Sequence, residues 1–583
     1  MKSRDKEQVQ EVQGKYAVAA NEAFSRYQSL AVPAIAWLAI FYALLLGVLN
    51  TACAFGLHTA GAVHHIERYM HVATGMETRL VPVIFGVFML FLAYQLRLRK
   101  RAALLALSAF FIVEAAAEIW GGAGLTTGVA SFLVGIMLLT AGREFTARPD
   151  PASTRRFKFA LPLFVVSFLC FGVVGLYLMR GSLGLGSNVY ALAHSAVAIP
   201  VGESGLQFQG WAVLYRDSLI IFAILGLVYL VALLFRPYRE KVGQSPEQHR
   251  LAGRLVERYG SYSLSYFNLR HDKNLFFYSD RIFLAYRPVG DIAVISGDPV
   301  GPAELVPELM SRFRDHCAER GWRITSIGSS EEFIRLSEDA GLKGFEIGEE
   351  AIIDLDEFSL EGRRVRKLRQ SVNKLDKMGV TMEFMFNAGI PPHMKHELRQ
   401  ISADWRGTKP GTGYSMGLGR LMNSEDPECL LSIAYDADMK PIGFLYLVPM
   451  YPHLGYSLDV TRTMVGAQNA LSEFMLARTA LFLKERGYKQ MSLHFLAFAQ
   501  HYREDRREPG APFWRAFARL LDYTLPVVSQ YQFDKKFYPM WKKRLIAYQS
   551  LLDFPGVVFA IISAESALKV TRPRERKGSP ASS

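Results

Sequence analysis

Apolar residues crowd the N-terminal side of the chain. Residues 31–57, 80–96, 102–120, 122–141, 159–179 and 218–235 are nearly continuous apolar runs. A helix needs about 20 residues to cross ~30 Å of hydrocarbon. The pattern therefore predicts an α-helical transmembrane bundle of about six spans within residues 31–240, preceded by a segment over 1–30. From about residue 243 the texture becomes charged and alternating. Phe277–Arg287 and Asp291–Ser296 read as a hairpin turned at Pro288-Val289-Gly290. A helical pattern follows over 303–320 (Leu305, Leu309, Phe313, Cys317), then a strand at Arg323–Ile327, a helix over 331–340 and a strand near Phe345–Leu355.

That order recurs. Leu430–Tyr435 and Ile442–Pro449 flank the turn Asp436–Pro441. A strand at 454–460 leads to a helix with Leu471, Phe474, Met475, Leu481 and Phe482 on one face, then to a strand at 489–495. The joints before the last strands match: Glu319-Arg320-Gly321-Trp322 and Glu485-Arg486-Gly487-Tyr488. Hairpin–strand–helix–strand is the core of the acetyltransferase (GNAT-type) fold, so the chain reads as tandem α/β units of that kind, over 245–355 and 356–555. Such folds cradle a CoA pyrophosphate on a Gly-rich turn at a helix N-terminus. Arg462–Asn469 (RTMVGAQN) lacks those glycines, so a CoA donor is disfavoured.

Charge orients the membrane part. Arg97, Arg99, Lys100 and Arg101 follow the second run, Arg143, Arg148, Arg155, Arg156 and Lys158 the fourth, and Arg236, Arg239 and Lys241 the sixth. The other connections are poor in Lys and Arg. Cationic loops stay on the cytoplasmic side, which places both termini and the α/β part in the cytosol. The first run is too long and begins too late for a signal peptide. Four cysteines, far apart, give neither a disulfide framework nor a metal pattern. His58, His64, His65 and His71 match no metal spacing and read as a surface loop, while Glu114 and Glu118 fall inside the third run. The segment 180–217 is rich in Gly and Ser and reads as re-entrant or amphipathic.

Several stretches in order resemble one family. They are LSYFNLRHDKNLFF within Ser263–Phe277, Gly297-Asp298-Pro299-Val300-Gly301, Phe345–Leu355 (FEIGEEAIIDL), Tyr414–Arg420 (YSMGLGR), Tyr456–Arg462 (YSLDVTR), Asn469–Met475 (NALSEFM) and Phe533–Trp541 (FDKKFYPMW). Together they resemble the catalytic domain of the multiple peptide resistance factors, the aminoacyl-phosphatidylglycerol synthases or phosphatidylglycerol lysyltransferases. The resemblance covers roughly residues 250–550. It implies a bacterial inner-membrane enzyme that moves an amino acid from aminoacyl-tRNA to phosphatidylglycerol or a related anionic lipid, with no cofactor and no metal. Six spans fall short of the family's longer membrane region with its flippase half.

On the same resemblance Asp459 and Arg462 are the catalytic candidates. Asp459 pairs with the aminoacyl ammonium, and Arg462 contacts a phosphate or the developing oxyanion, for which a guanidinium fork is suited. Spacing alone equally allows a local Asp–Arg surface pair of little energetic worth. Tyr456, Ser457, Asn469, Glu473, Lys535 and Lys536 are the substrate-binding candidates. Arg363, Arg364, Arg366, Lys367 and Arg369 open a basic run, continued by Lys374 and Lys377, with Asp376 its one acid. Such a run attracts phosphates, whether of a tRNA acceptor arm or an anionic leaflet, or is a solvated helix face. The tail 572–583 reads as disordered. A CoA-dependent lipid or cell-wall acyltransferase, and a flippase with a regulatory cytosolic module, are the rival readings.

Overall fold

The computed structural model describes residues 32–54, 80–120, 125–201, 205–260, 262–407, 414–451, 454–467, 470–497 and 527–566. The segments 1–30 and 572–583, the four histidines of the 58–71 loop and Asn469 lie outside them, as do the side chains of Glu114 and Glu118. The chain divides into two compact units, one mainly of residues up to Arg239, the other from Glu240 onward.

In the first unit the apolar runs form α1 (Val32–Ala54), α2 (Leu80–Arg97), α3 (Arg101–Trp120), α4 (Leu125–Thr140), α5 (Pro151–Leu178) and α7 (Trp211–Leu234). Helix α5 starts eight residues before its apolar run. Asp150 caps it, accepting the Ser153 N–H at 2.9 Å, and Pro151 needs no partner at the first helical position. Among the described residues, α5 and α7 alone are long and apolar enough to cross a membrane; the described apolar stretches of the others are shorter. The segment 180–217, expected to be re-entrant or amphipathic, holds an apolar helix, α6 (Val189–Val201). Helices α5 and α7 approach closely through small residues. The Tyr215 hydroxyl donates to the Gly172 carbonyl at 2.6 Å, and side chains at Gly175 or Gly226 would collide with the Tyr215 and Phe164 rings. Outward-facing residues of this pair, such as Leu163, Val166, Leu225 and Val228, are apolar.

The second unit is built on one eleven-stranded sheet in the order β1-β2-β3-β4-β11-β5-β10-β9-β8-β7-β6. The strands are β1 (Asn274–Ser279), β2 (Ile282–Val289), β3 (Ile292–Ser296), β4 (Arg323–Ser329), β5 (Lys343–Asp354), β6 (Thr381–Phe386), β7 (Leu430–Tyr435), β8 (Pro441–Met450), β9 (Gly455–Thr463), β10 (Gln490–Ala497) and β11 (Met540–Tyr548). The run Phe277–Arg287, expected as one strand, is a hairpin of two, because Asp280-Arg281 turns the chain where β1 meets β2.

Each half carries one parallel pair joined by a crossover helix. β3 and β4 are joined by α9 (Val306–Arg320), and β9 and β10 by α13 (Leu471–Glu485), with α10 (Glu331–Leu336) after β4. The matching joints have a shared physical cause: Gly321 and Gly487 follow the two helices at φ +65° and +83°, left-handed conformations that favour glycine. The halves also exchange strands. β5 pairs with β10, and β11, from the end of the chain, inserts between β4 and β5. Long-range antiparallel pairing of this kind leaves no local trace in sequence.

Alternation along β8 sorts the two faces. Leu445 and Leu447 join a core with Leu458, Leu368 and Val372 of α11 (Arg366–Lys377), and Phe474 and Met475 of α13. Phe444, Tyr446 and Val448 join the opposite core with Val460, Leu255 and Val256 of α8 (Pro246–Tyr259), and Leu398 and Ile401 of α12 (Pro392–Arg406). Strand β9 pairs with β10 only from Gly455 to Ser457. Beyond that β10 runs on along β5, and among the described residues β9 keeps only β8 at its side. No described strand pairs with Leu458–Thr463 on the other side.

Candidate active site

Residues three apart on a regular strand point to opposite faces. Asp459 and Arg462 share one, because β9 bulges at Asp459 itself. Leu458 pairs with Leu447 and Val460 with Tyr446, so Asp459 is an extra residue opposite no partner. Before the bulge Tyr456 and Leu458 face the α13 side, and after it Val460 faces the α12 side. The strand runs through Thr463, so Arg462 lies within it and not in the turn expected there.

The Asp459 carboxylate is buried, and its Oδ1 accepts the Leu418 N–H at 2.9 Å. Burial pushes this carboxyl up to about 6, against the pull of the Leu418 N–H and the Arg462 and Arg270 charges. Arg462 is half-buried. Its Nη1 donates to the Thr461 carbonyl at 2.9 Å and its Nε to the Ser402 hydroxyl at 3.3 Å, while the guanidinium lies 4.2 Å from the Trp405 ring centre. Burial, and then the charge of Arg406, lower its pKa to about 10. Among the described residues no ion pair joins Asp459 to Arg462, so the surface-pair alternative is not what the fold builds. Each charge is held by neutral groups. A buried charge without a counter-ion is costly and marks a place built to receive one.

The segment Tyr414–Arg420 straps this corner together. The Tyr414 hydroxyl donates to the Val294 carbonyl, and Glu565 accepts the Tyr414 and Ser415 N–H groups. Arg270 donates to the Gly417 carbonyl at 2.8 Å, and Arg420 grips Asp426 with two nitrogens. Gly419 is at φ +73° beside the Arg270 guanidinium, where a side chain would be both strained and obstructed. In the sequence this segment carries a family resemblance but no role of its own. Its N–H at Leu418, with Ser402 and Trp405 of α12, completes the surroundings of Asp459 and Arg462. Their sequence signal is slight: a lone Trp at a helix end and a Gly-rich stretch after it.

The other expected residues are dispersed. Ser457 is buried between Val448 and Ser492 in the sheet. Tyr456 belongs to the α13-side core, with its hydroxyl 3.2 Å from the Glu428 carbonyl. Glu473, in the first turn of α13, is buried and ion-paired with Lys536. Lys535 shares the short turn Lys535–Phe537 with Lys536, directly after helix α14 (Val527–Asp534). Glu473 and Lys536, named as substrate-binding candidates, stand with the core on the other face from Asp459, and the two charges satisfy each other. In the basic run Arg363, Arg364, Arg366 and Lys367 are exposed. Arg369 departs from the expectation: its Nη1 donates to the Leu360 and Gly362 carbonyls, holding the loop before α11.

A second polar concavity lies in the same unit. A cavity of about 300 Å³ is lined by Tyr262, Ser263, Asp298, Ser330, Lys542 and Arg544. Asp298, from the Gly297–Gly301 stretch, accepts the Ser330 N–H at 2.9 Å, and burial raises its carboxyl. Arg544 is ion-paired with buried Glu350. Burial favours the neutral form of Glu350, yet Arg544, Ser263 and Ser492 together hold it below its ordinary value.

Comparison with known proteins places residues 253–548, just over half the chain, within the family described as phosphatidylglycerol lysyltransferase, C-terminal. The lysylphosphatidylglycerol biosynthesis bifunctional protein LysX of Mycobacterium avium is 29% identical over 505 residues, which cover 83% of this chain and 43% of that protein. The LysX of Rhodococcus jostii is 30% identical over 374 residues, covering 63% and 33%. The chain thus spans less than half the length of these curated relatives. Among solved structures, L-PGS from Bacillus licheniformis superposes with a TM-score of 0.48 at 23% identity, over 56% of this chain and 99% of that one.

Proposed function

The chain belongs to the phosphatidylglycerol lysyltransferase, C-terminal, family, and from that premise we propose that it transfers an aminoacyl group from aminoacyl-tRNA to the headgroup of a membrane glycerolipid, phosphatidylglycerol first among them. The relatives' names make lysine the first donor to test. The observation that carries the reading is the bulge at Asp459, which sets a carboxylate and a guanidinium, neither neutralised by the other, on one face of a strand stretch that no described strand but β8 pairs.

Exchanging a tRNA ester for a lipid ester changes little in bond energy. The catalyst's work is to hold a lipid hydroxyl against the ester carbonyl and to stabilise the oxyanion. Asp459 takes the aminoacyl ammonium, whose charge in turn favours the ionised carboxylate. Arg462, fixed by Ser402, Thr461 and Trp405, presents its remaining N–H groups to the terminal phosphate or the oxyanion. Nothing in this scheme forms a covalent acyl-enzyme. The exposed cations Arg363, Arg364, Arg366 and Lys367 draw the acceptor arm of the tRNA or the anionic leaflet.

For the first unit we read about six spans in the inner membrane of a bacterium, with both termini cytoplasmic, and the acetyltransferase-like halves over 245–355 and 356–555 in the cytosol. Supporting this are the length and apolar surface of α5 and α7 and the cationic loops on one side. Aminoacylation would lower the negative charge of the leaflet and so favour resistance to cationic peptides. The experiment supplies membranes holding the full chain with labelled aminoacyl-tRNAs and follows label into extractable lipid. RNase-sensitive labelling supports the proposal. Label in no lipid with any standard amino acid, or labelling that survives RNase, defeats it.

A further inference from the structure

We propose that the outer face of the last helix, α15 (Phe554–Ser566), seats on the surface of a lipid bilayer that carries anionic headgroups. The helix is apolar on all sides: FPGVVFAIISAES. One side is used by the protein. Val557, Ala560, Ile561 and Ala564 pack on Ile292, Val294, Ile327 and Ile546 of the sheet. The opposite side is covered by none of the described residues. Phe559 is 71% and Ile562 60% exposed, and Leu551 and Leu552, in the turn that leads in, are 73% and 79% exposed.

At about 100° per residue, the exposed Pro555, Val558, Phe559 and Ile562 fall within roughly a third of the circumference. Leu551 and Leu552 belong to the short turn before the helix. Among the described residues of the helix no charged side chain lies between those four. The one acid of the helix, Glu565, is turned away to hold Tyr414 and Ser415. A helix apolar all round is normally enclosed, and a contiguous apolar patch on a surface marks a contact.

Two further facts select a bilayer as the occupant. Directly after the helix the sequence carries Lys569, Arg572, Arg574, Arg576 and Lys577 against Glu575 alone. An apolar face joined to such a basic run complements an anionic leaflet, the apolar side chains entering the headgroup boundary and the cations meeting the phosphates. The chain also owns α5 and α7, each long and apolar enough to cross a membrane, so a bilayer is present at high effective concentration through the covalent link. A water-soluble protein partner needs neither feature.

The test uses the full chain in nanodiscs of phosphatidylglycerol and phosphatidylcholine, with Cys53→Ser and Cys170→Ser and a single fluorophore at Phe559→Cys, Ile562→Cys or, as a control on another exposed site, Glu338→Cys; Cys317 and Cys429 are buried. All three positions are on the surface, so labelling leaves the fold intact. Nitroxide-bearing lipids should quench the probes at 559 and 562 at least twofold more than the probe at 338, and the excess should fall in discs of phosphatidylcholine alone. Equal quenching at the three sites overturns the proposal. Cross-linking between two copies through Phe559→Cys, in place of quenching, also overturns it by showing a second chain on that face. The readout needs no catalysis, so it stands or falls apart from the transferase reading.

Discussion

The Oδ1 of Asp459 accepts the N–H of Leu418 at 2.9 Å, joining an extra strand residue to a segment 41 positions earlier in the chain. The bond fixes the carboxylate on the α12 face, and among the described residues no cation is in contact with its charge. Replacing Asp459 by Asn keeps an oxygen for Leu418 and removes the charge. Lipid labelling by Asp459→Asn should fall by about 100-fold or more, equivalent to roughly 3 kcal/mol of transition-state stabilisation, with membrane yield unchanged. Near-normal labelling would show that the charge is not used.

The raised carboxyl also predicts two pH effects. Asp459 titrates at about 6 in the fold against 3.8 ordinarily, so its contribution to stability is present at low pH and is lost as the pH rises through about 6. That loss is on the order of 3 kcal/mol. In detergent, Asp459→Asn should therefore unfold at a higher temperature than the parent at pH 7.5 and show little difference near pH 4. If the ionised form binds substrate, kcat/KM of the parent should climb between pH 5 and 7. A flat profile across that range counts against the role.

Arg462 lies on Trp405 and forks toward Ser402 and Thr461, a planar arrangement that a lysine ammonium does not reproduce. Arg462→Lys should resemble Arg462→Ala in lipid labelling, each down by about 100-fold or more. Trp405→Leu should lower activity less and raise KM more than it lowers kcat. Recovery of most activity in the lysine variant would leave only a point charge at work.

Glu473 and Lys536 neutralise each other on the opposite face. Lys536→Met strands a buried carboxylate and should cost about 1–3 kcal/mol of stability. Adding Glu473→Gln should return part of it, as a thermal-unfolding double-mutant cycle would read. Additive losses would mean the two do not interact.

The basic run should separate into two behaviours. Changing Arg363, Arg364, Arg366 and Lys367 together to Gln should weaken tRNA-dependent labelling and flatten its dependence on salt, since released counter-ions scale with phosphate contacts. Arg369→Gln should instead lower thermal stability by about 1 kcal/mol, through the lost bonds to Leu360 and Gly362. An unchanged salt slope in the fourfold variant would make that surface a solvated face.

Local rules determined much of this protein. Continuous apolar runs make helices because a backbone without polar side-chain competition closes its own hydrogen bonds, and α1–α5 and α7 follow. Alternation placed β3, β4, β7, β8 and β10 within a few residues of their observed ends. The glycines at 321 and 487 mark a repeat that is real in backbone angle. The motif residues Asp459 and Arg462 were legible, but their relation was not. Side-chain direction in a strand depends on register against a neighbour, and only the pairing of β9 with β8 created the bulge that puts both on one face. The same cause hid the insertion of β11 between β4 and β5, and the division of Glu473 and Lys536 from Asp459. The dual use of α15 was hidden too, since an apolar helix looks the same in sequence whether one side or both are covered. What periodicity specifies is local, whereas partners far along the chain are chosen by the packing of the whole sheet.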